Sequence, residues 1–142
     1  MICYFDTSAF IPILIAEPGS PACEQLWNDA DAVVTSQLMY VEAAAGLAQA
    51  ARMDRVDEAA HTQSLQLLDQ LWMEFQLIDV DEPLVRRAAE VAHSAALRGY
   101  DAIHCASAEQ ILDTDLLVAS GDQKLLGACR TLGMVTSDIN AP

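Results

Sequence analysis

Four acidic residues stand in places that a solvated surface does not explain. Asp6 directly follows the short apolar run Ile2–Phe5, and Asp122 follows Leu116–Ala119 after a Ser120-Gly121 turn. In open parallel sheets, ligands bind just beyond the carboxyl ends of the strands. Glu42 follows Val41 on an apolar helical stretch beside Ala43, Ala44 and Ala45, with no base within a helical turn. Asp101 opens a segment that continues Ala102, Ile103, Cys105 and Ala106. Taken singly, each has a plain structural explanation. Asp6, Asp101 and Asp122 suit helix N-termini, and Glu42 suits the edge of a helix stripe. Taken together, two end strands and two sit on apolar helices. Carboxylates brought close to one another cannot all stay ionised without a compensating cation. Only Arg98 and Lys124 lie near any of the four in sequence. A hard divalent cation satisfies the set better, and oxygen-only donors favour Mg²⁺ or Mn²⁺ over zinc. One or two such ions, a pair lying about 4 Å apart, could assist in-line attack at a phosphodiester.

The elements that must position these acids alternate between short β-like runs and longer helical patterns. Strands are expected at Ile2–Phe5, Ala32–Thr35, Gln76–Val80, Leu116–Ala119 and Met134–Thr136. Helices are expected at Ser8–Ala16, at Ser20–Asn28 with Pro21 in its first position, and from Ser36 to Arg52. Further helices are expected at Asp57–Trp72, from Asp81 to a Gly99 cap, at Tyr100–Leu112, and at Asp122–Leu132. In the third helix Leu38, Val41, Ala45 and Ala48 form the expected buried stripe. In the fourth, Leu65, Leu68 and Trp72 share a face. The alternation implies an α/β fold, a five-stranded parallel sheet covered by helices, in one domain over residues 1–142. A tail, Ser137–Pro142, follows.

Composition bounds the function. At 142 residues and 53% hydrophobic, the chain can bury a continuous core. No apolar run approaches the roughly 20 residues of a bilayer span. The N-terminus lacks a secretory pattern, so a cytoplasmic location without membrane attachment is expected. Cys3, Cys23, Cys105 and Cys129 match no zinc spacing and read as buried thiols. The 21 acids outnumber 7 bases, giving −14. A nucleic-acid-binding surface is normally basic, so this balance by itself suits a basic protein partner better. RNA would need a local patch built from Arg52, Arg55 or Arg98 with Lys124.

The chain resembles the PIN-domain ribonucleases, specifically the VapC toxins of bacterial toxin–antitoxin pairs. The resemblance is carried by Tyr4-Phe5-Asp6-Thr7-Ser8-Ala9, Val41-Glu42-Ala43, Tyr100-Asp101-Ala102-Ile103-His104 and Val118-Ala119-Ser120-Gly121-Asp122, in that order along nearly the whole length. It implies a central parallel sheet with helices on both sides and a Mg²⁺- or Mn²⁺-dependent endoribonuclease acting on RNA. It also implies a cognate antitoxin that covers the acidic site, and a homodimer. By position, Asp6, Glu42, Asp101 and Asp122 match the family's acidic ligands. Asp6 and Asp101 are assigned direct contact; Glu42 and Asp122 are assigned contact through water or positioning of the nucleophile. Ser8 matches a small polar residue after the first acid, and Ser120 stands where threonine is usual. His104 shares a helix face with Asp101 and is expected to be a packing residue, with a ligand or proton-shuttle role as the alternative. His61 and His93 are expected at the surface. Two other readings compete: an aspartate-based phosphotransfer domain, which Ser8 and the placement of Lys124 fit poorly, and a PIN-like module kept only for binding.

Overall fold

The computed structural model describes residues 1–111 and 113–141. Twelve elements follow one another as β1 (Ile2–Phe5), α1 (Thr7–Leu14), α2 (Ser20–Asp29), β2 (Ala32–Ser36), α3 (Met39–Arg52), α4 (Glu58–Trp72), β3 (Gln76–Ile78), α5 (Glu82–Ala95), α6 (Gly99–Glu109), β4 (Leu116–Ser120), α7 (Gln123–Thr131) and β5 (Val135–Asp138). The five strands form one sheet in the order β3-β2-β1-β4-β5, and every pairing is parallel. The expected five-stranded parallel α/β sheet is therefore the one present. From β1 the chain builds outward through β2 and β3 on one side, then crosses back to add β4 and β5 on the other. The strand order thus reverses at β1, the switch point at which open α/β sheets bind ligands.

Side chains alternate across β1, and the two faces have separate cores. Cys3 and Phe5 face one way, into a cluster with Phe10, Met39, Ala43, Leu47, Leu68 and Phe75 from the α1–α4 side. Tyr4 faces the other way, packing with Leu84, Val91, Ala102, Cys105 and Leu125 under α5, α6 and α7. Helices thus cover both faces, as a parallel sheet requires. All four cysteines are free and buried. Among the described residues no helix is long and apolar enough to cross a membrane.

Several expectations need correction. The buried residues of α3 are Met39, Ala43, Leu47 and Ala50; Val41 is 60% exposed and Ala45 is also exposed. The alanine-rich stretch offers apolar residues on every side, so periodicity alone does not choose the buried face. Ser36 ends β2 instead of capping α3, although its hydroxyl accepts a bond from the Leu38 amide at 3.2 Å. Gly99 does not close α5. Ala96 takes the left-handed conformation there (φ 54°, ψ 44°), and Gly99 begins α6. In α4 the expected face is only partly right: Leu68 is buried, Leu65 and Trp72 half-buried. The expected ends at Leu112 and Pro142 lie outside the described residues.

Candidate active site

Pairing of Phe5 with Ala119 brings Asp6 level with Ser120. Asp6 caps α1, its Oδ1 accepting from the Ala9 amide at 3.2 Å and from the Ser8 hydroxyl at 2.7 Å. Its Oδ2 accepts from the Ser120 hydroxyl at 3.0 Å. Ser120 in turn accepts from the Asp122 amide at 3.0 Å, and Ser8 from the Gly121 amide at 2.8 Å. The two serines thus tie the end of β1 to the end of β4. Gly121 is part of the fit: a Cβ there would meet the Asn140 side-chain nitrogen at 3.0 Å.

Asp122 caps α7 through Oδ1, which accepts from the Lys124 and Leu125 amides at 2.9 and 3.1 Å. Glu42 lies in the first turn of α3, its side chain 20% exposed. Its Oε1 accepts from Thr7 Oγ1 at 3.1 Å and from His104 Nε2 at 2.7 Å. His104 is buried, with Nδ1 2.7 Å from the Tyr4 hydroxyl. Asp101 stands in the first turn of α6, half-buried, with no hydrogen bond to its carboxylate among the described residues. All four acids therefore lie around the carboxyl end of the sheet. Asp6, Ser8, Ser120 and the Asp122 backbone are linked directly, as are Glu42, His104, Thr7 and Tyr4. Asp101 makes no hydrogen bond to the other acids and is coupled to Asp122, Glu42 and His104 through charge alone.

That charge is only partly compensated, by His104 and Arg98. Asp6 is only 4% exposed. Burial pushes its carboxyl up from the ordinary range, against the pull of nearby His104 and the bonds from Ser8, Ser120 and Ala9. Burial also raises Asp101, and the charges of Asp122 and Glu42 raise it further, while His104 and Arg98 oppose them. Neither acid forms an ion pair among the described residues. A bound cation would remove this penalty on the charged forms. The donor set, all carboxylate oxygen, suits a hard divalent ion. Among the described residues no three His, Cys, Asp or Glu side chains stand close enough to form a ready-made cage. The set is open, and Mg²⁺ commonly uses only one or two carboxylates and keeps several waters. The residues fit such an ion on those terms.

The expected basic patch divides. Arg98 stands at the N-terminal end of α6, the helix that carries Asp101, and Lys124 follows Asp122. Both are exposed and unpaired among the described residues. Arg52 ends α3, about 15 Å along the helix from Glu42 at 1.5 Å per residue, and Arg55 pairs with Glu17 at 3.0 Å. Thr7 and Tyr4 join the site although neither stands out in the sequence as a candidate. A tyrosine inside an otherwise apolar strand is the available signal, because a buried phenol needs a hydrogen-bond partner. His93 is exposed as expected; His61 is half-buried, its Nε2 enclosed and without a partner among the described residues.

The PIN domain family model matches residues 3–128. Ribonuclease VapC49 of Mycobacterium tuberculosis (strain ATCC 25618 / H37Rv) is 36% identical over 122 residues, spanning 86% of this chain and 85% of that protein. Solved structures share the fold, among them the following two. A toxin–antitoxin complex from Klebsiella pneumoniae matches with a TM-score of 0.70 at 14% identity, covering 99% of each chain. The sarcin–ricin loop cleaving toxin VapC20 of M. tuberculosis matches with a TM-score of 0.69 at 17% identity, covering 94% of this chain and 96% of that one.

Proposed function

This chain belongs to the PIN-domain family, and on that premise we propose that it is an endoribonuclease, the toxin of a type II toxin–antitoxin pair, working with Mg²⁺ or Mn²⁺. The observation that carries the reading is Asp6: a buried carboxylate at the end of the central strand, without an ion pair among the described residues, with three more acids around the same rim. The relatives supply the substrate class, since VapC49 is a ribonuclease and VapC20 a toxin that cleaves the sarcin–ricin loop.

In this reading Asp6 and Asp101 hold the ion directly, and Glu42 and Asp122 act through water or orient the nucleophile. A bound divalent cation would polarise a water and neutralise charge at the scissile phosphate. The protein's own groups do the rest. Ser8 and Ser120 fix the Asp6 carboxylate in one orientation. Arg98 and Lys124, flanking Asp101 and Asp122, attract the phosphate backbone to a rim that would otherwise repel it. Attack of water on phosphorus breaks the bond to the 3′-oxygen, which takes up a proton, leaving a 3′-hydroxyl and a 5′-phosphate.

A basic antitoxin segment is the partner that the charge of −14 favours. An arginine from it could pair bidentately with the site carboxylates and compete with the ion. The toxin–antitoxin complex among the fold's relatives accords with that partner. One PIN-like domain over residues 1–142, a homodimer and a cytoplasmic location complete the proposal.

The test is cleavage of total cellular RNA by the purified chain with Mn²⁺, with Mg²⁺ and with EDTA, comparing wild type with Asp6→Asn and Asp101→Asn. Cleavage should require the metal and fail in both variants. No cleavage by wild type, or cleavage that survives either substitution, would contradict the reading.

A further inference from the structure

Glu42 is gripped at one oxygen only. Thr7 and His104 both bond to Oε1, and Oε2 has no hydrogen bond among the described residues. His104 is itself fixed from behind. The Tyr4 hydroxyl lies 2.7 Å from Nδ1, the two rings meet edge-on with centroids 5.8 Å apart at 75°, and His104 is 2% exposed. A carboxylate oxygen can only accept, so Nε2 carries a hydrogen whatever the charge of the ring. In the neutral ring Nδ1 is then the acceptor, and the Tyr4 hydroxyl donates to it. Both nitrogens are thereby occupied, which leaves His104 no lone pair for a metal. The chain of bonds runs from β1 through α6 to α3, joining the two faces of the sheet at its carboxyl end.

We propose that Tyr4 and His104 are positioning residues that fix the Glu42 carboxylate, so that Oε2 is the oxygen offered to a divalent cation or to a water bound to it. The proposal rests on the metal-dependent reading above. It separates His104 from two other roles, a direct ligand and a mere filler of the core. Partners that orient a carboxylate ligand typically change metal affinity by roughly 10–100-fold when removed. Glutamine can place its amide nitrogen near the position of imidazole Nε2 and restore the donor. Methionine fills similar space without one.

The experiment is Mn²⁺ titration of the full chain, followed by the electron paramagnetic resonance signal of free Mn²⁺, for wild type, His104→Met, His104→Gln and Tyr4→Phe, with the thermal midpoint of each. His104→Met should weaken Mn²⁺ binding about tenfold. His104→Gln should recover most of that loss even where its midpoint is no higher than that of His104→Met. Tyr4→Phe, which removes one oxygen and keeps the ring, should weaken binding by a smaller factor and serves if His104→Met does not fold. Equal losses in His104→Met and His104→Gln, or wild-type affinity in Tyr4→Phe, would overturn the relay. Wild type that binds no Mn²⁺ would instead bring down the metal reading on which the relay depends.

Discussion

At the scale of single residues, two acids of the proposed site, Asp6 and Asp101, are kept from water without an ion pair among the described residues. Burial raises Asp6, and burial with the charges of Asp122 and Glu42 raises Asp101. For a carboxyl whose folded pKa is raised, the native state binds more protons than the unfolded state between the two values. Stability is then full below the ordinary carboxylate pKa and falls as pH rises through the raised one. The metal-free protein should therefore lose stability as pH climbs above the ordinary value of 3.8, and saturating Mn²⁺ should abolish most of that loss. Thermal unfolding across pH, with EDTA and with Mn²⁺, checks both. Asp6→Asn keeps a capping side chain while removing the charge. It should raise the metal-free thermal midpoint at neutral pH while taking RNA cleavage below detection, a loss on the order of 10²-fold or more. The four acids are legible in the sequence because each breaks the pattern of its own segment. The Tyr4–His104–Glu42 relay is not, because its members lie 100 and 62 positions apart in the chain, and only the sheet brings them together.

At the scale of elements, the proposed site draws on residues that also cap helices and end strands. Asp122 caps α7 with Oδ1, so its structural role and its proposed chemical role can be separated by substitution. Asp122→Asn should cleave RNA poorly yet unfold at close to the wild-type temperature, whereas Asp122→Ala should also lose about 1 kcal/mol of stability. Denaturant unfolding beside an RNA cleavage assay distinguishes the two. The end of α5 permits a second prediction. Ala96 occupies a left-handed conformation that disfavours a Cβ, so Ala96→Gly should stabilise the protein by about 0.5–1 kcal/mol despite the added freedom of the unfolded chain. The strands and most helices are readable from periodicity, capping aspartates at 57 and 81 included. The buried face of α3 is not, since alanines at 43, 44, 45, 48 and 50 fit either side and tertiary packing makes the choice. The end of α5 misleads for a related reason: Gly99 looks like a cap, but the chain turns three residues earlier.

For the whole molecule, a charge of −14 must coexist with a polyanionic substrate. Replacing Arg98 and Lys124 together by alanine should raise KM for RNA more than it lowers kcat, if their proposed role is to attract the backbone without holding the ion. The salt dependence of KM should also become shallower. Association with a basic antitoxin segment should likewise be fast at low salt and slower as screening increases. Stopped-flow rates over a salt series would show it, and rates independent of salt would remove electrostatics from the account. This charge is plain from composition, but its arrangement is not. Arg52 and Arg55 look like equal candidates with Arg98 and Lys124 until α3 sets Arg52 at its far end and Glu17 engages Arg55.

If carboxylates around Asp6 hold a metal that activates water for attack on RNA, the chemistry of the cleaved ends reveals it. Fragments made by the wild-type chain with Mn²⁺ should carry 5′-phosphates and 3′-hydroxyls, and none should form in EDTA. Fragments ending in 2′,3′-cyclic phosphates, formed equally with EDTA present, would show that the ribose 2′-hydroxyl is the nucleophile and rule out a metal-activated water.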